Sequence, residues 1–600
     1  MRNSRNSRGA LWGIAAICTV SLLITGCGKK EEQQAQPSAP AAPATTQAVA
    51  PSAPPAPVVA PVVRALQCMP EQAALALAAP SLDAFYGKAV ALAKRVVPEG
   101  IPVEEAIAQY SQIMAAHLGV PSASTPVDVM KAGGLDANAP VAVFVELDTM
   151  HQALGDFAVQ MRAAASAGED SVGSSAPPAP IKPPQPGMAI LFTASDPVKA
   201  DAFVTKFIAA ASDVPAEIKT EQDGDIALTF VKADGPAYFV SGSTFVFGNS
   251  RALLKAVAAR MRTPADVRYG SDACPINDPA EIAMLLRMDT LLNIAAGLST
   301  TAAMLDSGVA EAARTQMKAM NDLLKSYAGA DPMVVTWNVR QDGMDLLARI
   351  DTETHTALPA MLGDAAPLTL SNLYPAALDL FVDMRLTPEA KAQLERTWKN
   401  SLSVPVQDDP RAKQTLSLLR LALALTGEEL ALGVTGQRDG LPLLLALIEQ
   451  DDVEKTKSVL AEIGIASKSL ETYNEVELME LPIPVTPAIR YGFIGDTLAF
   501  SNDIAALKGA IDRKVATQEQ TYLASLRPPL DAATPRYMAA VLRGSLFTHV
   551  FAPMALRDNQ EANPEASATL AVVGAKLRDV RLLQERRGSW LEQRLSIQLN

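Results

Sequence analysis

Cysteine, histidine and aromatic residues are scarce in this sequence. Its 600 residues include four Cys and four His, and aromatic residues make up 5%. No C-x-x-C pair and no H-E-x-x-H, Gly-x-Ser-x-Gly or P-loop pattern occurs, so the sequence predicts no metal site, no common hydrolase site and no cofactor. Because sugar-binding faces stack their ligands on aromatic side chains, the low aromatic content also disfavours a carbohydrate-binding module.

Positive charge is also in short supply. Lys and Arg number 52 against 65 Asp and Glu, which gives a formal net charge of −13. Loss of an N-terminal segment that carries Arg2, Arg5 and Arg8 would bring the charge to −16 (−13 − 3). Nucleic acid is therefore not expected as a partner, because its phosphates are bound by clusters of basic residues.

The first 26 residues have the pattern of an export signal. Arg2, Arg5 and Arg8 supply positive charge without an acidic residue, and residues 10–24 contain no charge at all. About 20 apolar residues are needed to cross a bilayer as a helix, and this run of about fifteen is shorter. The sequence therefore predicts a cleaved signal peptide at residues 1–26 in preference to a transmembrane helix.

The signal ends at Ile24-Thr25-Gly26-Cys27, which resembles the lipobox of bacterial lipoproteins. The resemblance implies that Cys27 becomes the mature N-terminus and carries acyl chains, which anchor the protein because each buried methylene contributes roughly 0.8 kcal/mol. Gly28 follows in place of the Asp that tends to keep lipoproteins at the inner membrane of enteric bacteria. The resemblance therefore implies an outer-membrane lipoprotein that faces the periplasm. An ordinary signal peptide with a coincidental Cys is the alternative.

Residues 27–65 form a Gln-, Ala- and Pro-rich segment that includes Pro51-Ser52-Ala53-Pro54-Pro55-Ala56-Pro57. Such a composition cannot bury enough apolar surface to offset the entropy lost on ordering, so a disordered tether is expected. At about 3.1 Å per residue, the stretch from Glu31 to about Val63 would reach up to roughly 100 Å. It would hold the folded part of the chain away from the bilayer.

Two cysteines remain for the folded part. Cys18 leaves with the signal peptide and Cys27 would carry lipid, which leaves Cys68 and Cys274. Two Cys in an exported chain favour a disulfide, and we predict a bridge between Cys68 and Cys274. Two separate buried thiols are the alternative.

Short apolar strands alternate with helices along the rest of the chain. Residues 188–193 have a strand pattern, and Asp196-Pro197 then supplies an N-cap and a first-turn proline for a helix. Asp223-Gly224 lies between two strand patterns and indicates a hairpin. Loops this short suit hairpins better than parallel crossovers, so we expect an α+β fold with mainly antiparallel sheets flanked by helices. Residues 166–186 are rich in Pro, Ser and Gly and predict a disordered loop.

A segment near the middle of the chain recurs near its end. Within residues 238–255, eight residues are identical to those of 491–508 at a constant offset of 253 (491 − 238). They are Tyr238, Gly242, Thr244, Phe247, Asn249, Ala252, Leu254 and Lys255, which match Tyr491, Gly495, Thr497, Phe500, Asn502, Ala505, Leu507 and Lys508. Such agreement without a gap indicates an internal duplication.

Other landmarks agree at similar offsets. The hairpin at Gly343 matches the hairpin at Gly588 at an offset of 245 (588 − 343), and each has a Trp nearby. The folded chain is therefore predicted to consist of two tandem pseudo-repeats, at residues 66–358 and 366–600.

The lipobox, the Pro-rich tether and the recurring order of Pro, apolar strand and Ser/Leu/Asp helix start resemble a family of exported bacterial proteins. This family is classed as a domain of unknown function. The resemblance covers most of residues 66–600, and its motifs are structural. It brings no catalytic residues that could be transferred to this chain.

Candidate catalytic residues are few, and each has a structural explanation. Gly248-Asn249-Ser250-Arg251-Ala252 comes near to a nucleophile elbow but lacks the final Gly. Its counterpart has Asp503 at the position of Ser250, so a helix cap is expected. Asp196 and Asp451 match at an offset of 255 (451 − 196) and are also expected to cap helices. No catalytic residue is therefore predicted.

These patterns favour a membrane-anchored envelope lipoprotein of non-enzymatic type, which binds or supports another envelope component. Its membrane contact would be made through the N-terminal acyl chains. A carrier of lipid or another apolar ligand is one alternative. A hydrolase with an unrecognised site is another, and perturbed polar residues in a cleft would favour it.

Overall fold

The structure is a computed structural model of the chain. The residues that it describes are 65–96, 103–120, 123–147, 186–210, 218–223, 226–230, 235–263, 282–287, 290, 333–340, 342–351, 363–392, 427–438, 441–462, 468–481, 487–516, 522–531, 533–551, 571–572 and 574–600. The predicted signal peptide, Cys27, residues 27–64 of the predicted tether and residues 166–185 of the predicted loop lie outside this part of the chain.

Helices alternate with strands along the described chain. The α-helices are α1 (Leu82–Val96), α2 (Val103–Leu118), α3 (Pro126–Ala132), α4 (Pro197–Ala210), α5 (Arg251–Arg262), α6 (Val453–Glu462), α7 (Ile504–Ala516) and α8 (Gly544–Leu546). A π-helical turn, Phe547–Phe551, follows α8, and 3-10 helices are formed by Leu370–Leu373 and Leu523–Ser525. Among the described residues, no helix is both long and apolar enough to cross a membrane.

Strands make up most of the described secondary structure. The first ten are β1 (Ala73–Ala79), β2 (Val141–Glu146), β3 (Gly187–Thr193), β4 (Lys219–Asp223), β5 (Ile226–Phe230), β6 (Ala237–Ser241), β7 (Thr244–Gly248), β8 (Ile282–Leu286), β9 (Met333–Arg340) and β10 (Gly343–Asp351). The next ten are β11 (Leu380–Arg385), β12 (Glu429–Arg438), β13 (Leu441–Glu449), β14 (Lys468–Tyr473), β15 (Val476–Glu480), β16 (Arg490–Ile494), β17 (Thr497–Ser501), β18 (Arg536–Arg543), β19 (Leu577–Arg587) and β20 (Trp590–Leu599). We refer to β1–β10 as the first half of the sheet and to β11–β20 as the second half.

Every strand pairing in the described part of the chain is antiparallel. The pairings give the order β4-β5-β6-β7-β3-β2-β1-β8-β9-β10 in the first half and β14-β15-β16-β17-β13-β12-β11-β18-β19-β20 in the second. A ladder between β10 and β20 joins the two halves into one sheet. The expected combination of helices with antiparallel sheet is confirmed.

The two halves pair in the same order and in matching register. Ala189 on β3 pairs with Gly248 on β7, and Leu445 on β13 pairs with Ser501 on β17. The next four residue pairs of the β3–β7 ladder correspond one to one with the next four pairs of the β13–β17 ladder. The same correspondence holds for the hairpins β6–β7 and β16–β17, whose pairs lie 253 residues apart throughout (501 − 248).

The last hairpin of each half corrects one expected match. Arg340 pairs with Gly343 across the first turn, and Arg587 pairs with Trp590 across the second. Equivalent residues are therefore 247 apart (590 − 343), so the predicted offset of 245 was wrong. Gly588 lies inside its turn with a φ of 58°, whereas Gly343 is the first residue of its strand. The two glycines occupy different positions in their hairpins, so aligning them with each other gave the wrong offset.

Helices cover both faces of the sheet in each half. In the first half, Leu254 of α5 lies in the core on one face and Val204 of α4 lies in the core on the other. In the second half, Leu507 of α7 and Leu460 of α6 take the corresponding places. Strands such as β1 and β13 are therefore apolar on both sides, as is usual for strands that are buried on both faces.

The N-caps of α4 and α6 show that the expected match of Asp196 with Asp451 is displaced by one residue. Asp196 caps α4, because its carboxylate accepts a hydrogen bond from the Lys199 amide at 3.2 Å, which also lowers the pKa of Asp196. In the second half the corresponding bond runs from the Lys455 amide to Asp452 at 3.0 Å. The prediction of a cap at Asp451 was therefore wrong, since the equivalent positions lie 256 apart (452 − 196). Two adjacent acids precede this helix, and only the chain geometry selects between them.

Candidate functional site

Charged side chains lie inside the second half of the sheet, on the face that α7 covers. Arg385 on β11 is directly across from Glu429 on β12, and Asp383 lies two residues before Arg385. Because side chains alternate along a strand, Asp383 shares a face with the core residue Phe381. We call Asp383, Arg385, Glu429 and the nearby Glu449 the charged cluster.

Asp383 is the innermost member of the charged cluster. It has no exposed surface, and neither of its carboxyl oxygens has a partner at hydrogen-bonding geometry among the described residues. Its cross-strand neighbours are Ala431 and Ala539, whose side chains carry no polar atom. An ionised carboxylate at this position would lose its hydration, and the Ser371 amide and the Arg385 guanidinium would compensate only part of that loss.

The pKa of Asp383 is accordingly raised well above its ordinary value. Burial is the largest cause, and the negative charge and hydrogen-bonding influence of the Glu429 carboxyl group follow. The Ser371 amide and the Arg385 guanidinium act in the opposite direction and are outweighed. The pKa of Glu449 is raised as well, first by burial and then by Glu429. Asp383 therefore retains its proton to a higher pH than an exposed Asp would.

Glu429 uses both carboxyl oxygens to hold the chain segment that precedes β11. One oxygen accepts a hydrogen bond from the Leu370 amide at 2.6 Å, and the other accepts one from the Thr369 hydroxyl at 2.9 Å. Leu370 begins the 3-10 helix Leu370–Leu373, where backbone amides lack partners within the helix. A carboxylate suits this position because it satisfies such amides and carries a favourable charge.

Positive charge lies at the outer end of the charged cluster. Arg385 forms an ion pair with the exposed Glu428. Burial lowers the pKa of Lys391, whereas Asp451, Glu428 and Glu449 act to raise it. Arg385 and Lys391 therefore balance the acids near the rim, and Asp383 lies further inside.

The first half of the sheet lacks this pair of acids. Asp383 pairs with Ala539 on β18, and at the matching position Ala78 on β1 pairs with Ala283 on β8. Ala78 is also fully buried. The fold therefore does not require an acid here. Sequence analysis missed Asp383, although an acid within the apolar strand Leu380–Arg385 was a visible signal.

A second polar group lies where β18 ends. Asp379 accepts a hydrogen bond from the Ser545 hydroxyl, and its other oxygen is 3.7 Å from Nδ1 of His549. In a Ser-His-Asp triad the imidazole lies between the hydroxyl and the carboxylate. Here the carboxylate lies between the other two groups, so the contacts tie α8 to the start of β11 and do not activate a nucleophile.

The predicted cap at Ser250 is confirmed. Its hydroxyl accepts a hydrogen bond from the Leu253 amide at 3.3 Å and donates one to Glu146 at 3.1 Å. In the second half, Asp503 precedes α7 and accepts a bond from the Ala505 amide at 3.4 Å. Both residues start helices in the manner of ordinary N-caps.

Of the other predicted site residues, Cys68 lies at the margin of the first-half core. It is half-buried, and this burial raises the pKa of its thiol. Cys27 and Cys274 lie outside the described residues, so the predicted Cys68–Cys274 disulfide stays a prediction. Within the described ranges, no group of three or more His, Cys, Asp or Glu side chains could hold a metal ion.

The seam between the halves, formed by β10 and β20, contains a buried ion pair. Nine residue pairs make up this ladder, from Gly343 with Gln598 to Asp351 with Trp590. Nε of Arg349 lies 2.8 Å from a carboxyl oxygen of Glu592, and their side chains are 3% and 5% exposed. The Trp590 side chain packs against the first-half core. The second half thus contributes a side chain to the core of the first.

Comparisons with known proteins leave the family open. No protein-family model matches the chain. No curated protein matches it. Among solved structures, a crystal form of TP0453 aligns with a TM-score of 0.21 and 7% identity, covering 49% of this chain and 79% of that chain. A likeness of this size carries no argument about fold or function.

Proposed function

We propose that this protein is a lipid-anchored envelope protein of non-enzymatic type, which binds or supports another envelope component. Its anchor would be Cys27, and its place the periplasmic side of the outer membrane. The lipobox Ile24-Thr25-Gly26-Cys27, the following Gly28 and the Pro-rich segment support this proposal.

The folded part is proposed to be a tandem duplication, at residues 66–358 and 366–600. The matching registers of the two halves support it, and the seam adds a further argument. Leu347 pairs with Arg594, which is its equivalent at the offset of 247 (594 − 347). The ladder is therefore symmetric about this pair, as the contact between two identical subunits would be. A fused dimer of this kind would provide one long body that carries two related surfaces.

The observation that carries the non-enzymatic part of the proposal is the covering of both sheet faces by helices in each half. The polar clusters described above lie inside the core or tie secondary structures together. Phe144, Phe239, Phe381, Tyr374 and Tyr522 are fully buried and fill the cores. This packing favours a partner that binds at the surface of the protein. A carrier of lipid would instead hold an apolar ligand in its interior.

The anchor is tested by changing Cys27 to Ser and fractionating the cells. The variant is expected in the soluble periplasmic fraction, because it lacks the residue that would carry the acyl chains. Cys18→Ser is the matched control, since this Cys lies in the predicted signal peptide and its variant is expected to remain with the membrane. Retention of the Cys27→Ser protein in the membrane fraction would count against lipid anchoring.

The partner is tested by crosslinking in living cells. Photoreactive residues are placed at Tyr110, Val198 and Val515, whose side chains are 60%, 81% and 65% exposed. A discrete adduct with an envelope protein is expected from at least one position, and it should weaken when Cys27→Ser releases the protein from the membrane. Uncrosslinked monomer at all three positions would contradict a surface partner there.

A further inference from the structure

The segment 366–374 closes the core of the second half. The Arg536 amide donates a hydrogen bond to the carbonyl of Ala366 at 2.9 Å, which fixes one end. The Tyr374 hydroxyl donates to the carbonyl of Leu445 at 2.9 Å, which fixes the other. Leu370 is buried between them. We call residues 366–374 the closing segment.

The middle of the closing segment depends on Glu429. Both oxygens of this carboxylate are engaged by Thr369 and Leu370, at 2.9 and 2.6 Å. Asp383 lies diagonally across from Glu429, because Arg385, two residues further along the strand, pairs with Glu429. Asp383 is fully buried, and neither of its carboxyl oxygens meets hydrogen-bonding geometry with a described residue. Two carboxyl groups therefore share a site in which only one negative charge is compensated.

We propose that Asp383 and Glu429 form a proton-dependent latch, in which one proton on the pair lets the Glu429 carboxylate hold the closing segment, and loss of that proton loosens it. When both groups are ionised, two adjacent buried charges repel each other. Relief requires that one carboxylate move toward water. Movement of Glu429 would release Thr369 and Leu370.

The surrounding charges do not compensate a second negative charge at Asp383. The charged groups on the elements around the pair include Arg385 on β11, Glu428 and Glu449 at the ends of β12 and β13, Lys391 and Asp451 near the rim, and Arg513 on α7. Strand β18 adds Arg536, which is paired with Glu585, and Arg543, which donates to the carbonyl of Ala376. Arg385 is engaged by Glu428, and Arg513 donates to the carbonyl of Leu373 at 3.3 Å. The cross-strand neighbours on β12 and β18 are alanines. Repulsion between the two acids is therefore the dominant effect of ionisation.

The direction of the pH effect follows from the raised pKa of Asp383 in the closed state. The closed segment has its full stability at a pH below the pKa that the Asp383 carboxyl group has when it is exposed in the open state. That stability is lost as the pH rises through the higher pKa that the same group has when it is buried in the closed state. Opening releases one proton within that window. The opening constant should therefore increase by about tenfold per pH unit until the buried group ionises.

Hydrogen exchange of the mature soluble chain, which starts at Gly28, tests the latch. Protection of the Leu370 amide is measured from about pH 5 to 9 and corrected for the intrinsic exchange rate. In the unmodified protein, protection should fall as the pH rises, by up to about tenfold per unit. In Asp383→Asn it should be independent of pH, because no charge develops.

Two further variants make the result specific. Asp383→Ala reproduces the residue found at the matching position, Ala78, and should also abolish the pH dependence. Asp579→Asn is the control, since Asp579 is buried but bonded to Arg581 at 2.8 Å, and this variant should keep the pH dependence. Equal pH dependence in the unmodified protein and in both Asp383 variants would overturn the latch, as would a flat profile in the unmodified protein.

Discussion

Replacement of Glu592, the buried carboxylate at the seam, tests whether loss of a buried ion pair lowers the free energy of unfolding more than loss of an exposed one. Glu592→Gln leaves the Arg349 guanidinium, which is 3% exposed, beside a neutral group. Loss of one partner of a buried pair costs about 3–5 kcal/mol, because the remaining charge cannot regain its hydration. Lys457 and Glu454 lie 2.7 Å apart but are 48% and 81% exposed. Glu454→Gln should therefore change the free energy of unfolding by at most about 1 kcal/mol.

Urea unfolding of the soluble form, followed by tryptophan fluorescence, measures this difference. Trp590 reports on the seam, because it pairs with Asp351 and packs against the first-half core. The double change Arg349→Met with Glu592→Leu should recover most of the loss, since an apolar pair of similar volume replaces both charges. The reasoning is refuted if Glu592→Gln is no more destabilising than the exposed control.

Two substitutions test the packing, and a mapping experiment tests the state of the cysteines. Gly433→Ala would place a Cβ atom 2.4 Å from Cε1 of Tyr374, so urea unfolding should show a loss of about 1–3 kcal/mol. Gly87→Ala, whose Cβ meets nothing within 4 Å on α1, should instead stabilise by about 0.5–1 kcal/mol, and equal destabilisation by both would contradict the packing argument. Peptide mapping of periplasmic protein without reductant should find Cys68 linked to Cys274, whereas free thiols on both would disprove the bridge.

The secondary structure near the matched segments could be predicted because its signals are local. The strand expected at residues 188–193 corresponds to Gly187–Thr193, and the helix cap expected at Ser250 precedes the helix Arg251–Arg262. Alternation of apolar residues and an N-cap such as Ser250 act within a few residues of each other. Boundaries of this kind are therefore recorded in the sequence itself.

The order of the strands and the buried acids could not be predicted in the same way. The seam pairs Leu347 with Arg594, and no local pattern relates residues so distant in the chain. Asp383 is visible in the sequence as an acid within an apolar strand, but its counterpart is Ala78, so the repeat does not indicate that the acid is buried beside a second one. Its environment depends on β12, β18 and the closing segment together. The environment of Asp383 therefore depends on contacts between residues that are distant in the chain, whereas the helices and strands depend on local sequence patterns.

Native mass spectrometry of the soluble form that starts at Gly28, purified from periplasm without detergent, tests the proposed function most directly. A protein that binds its partner at the surface and has filled cores is expected to give the mass of the chain alone. Copurified adducts of lipid-like mass would contradict this proposal and would instead favour a carrier of an apolar ligand.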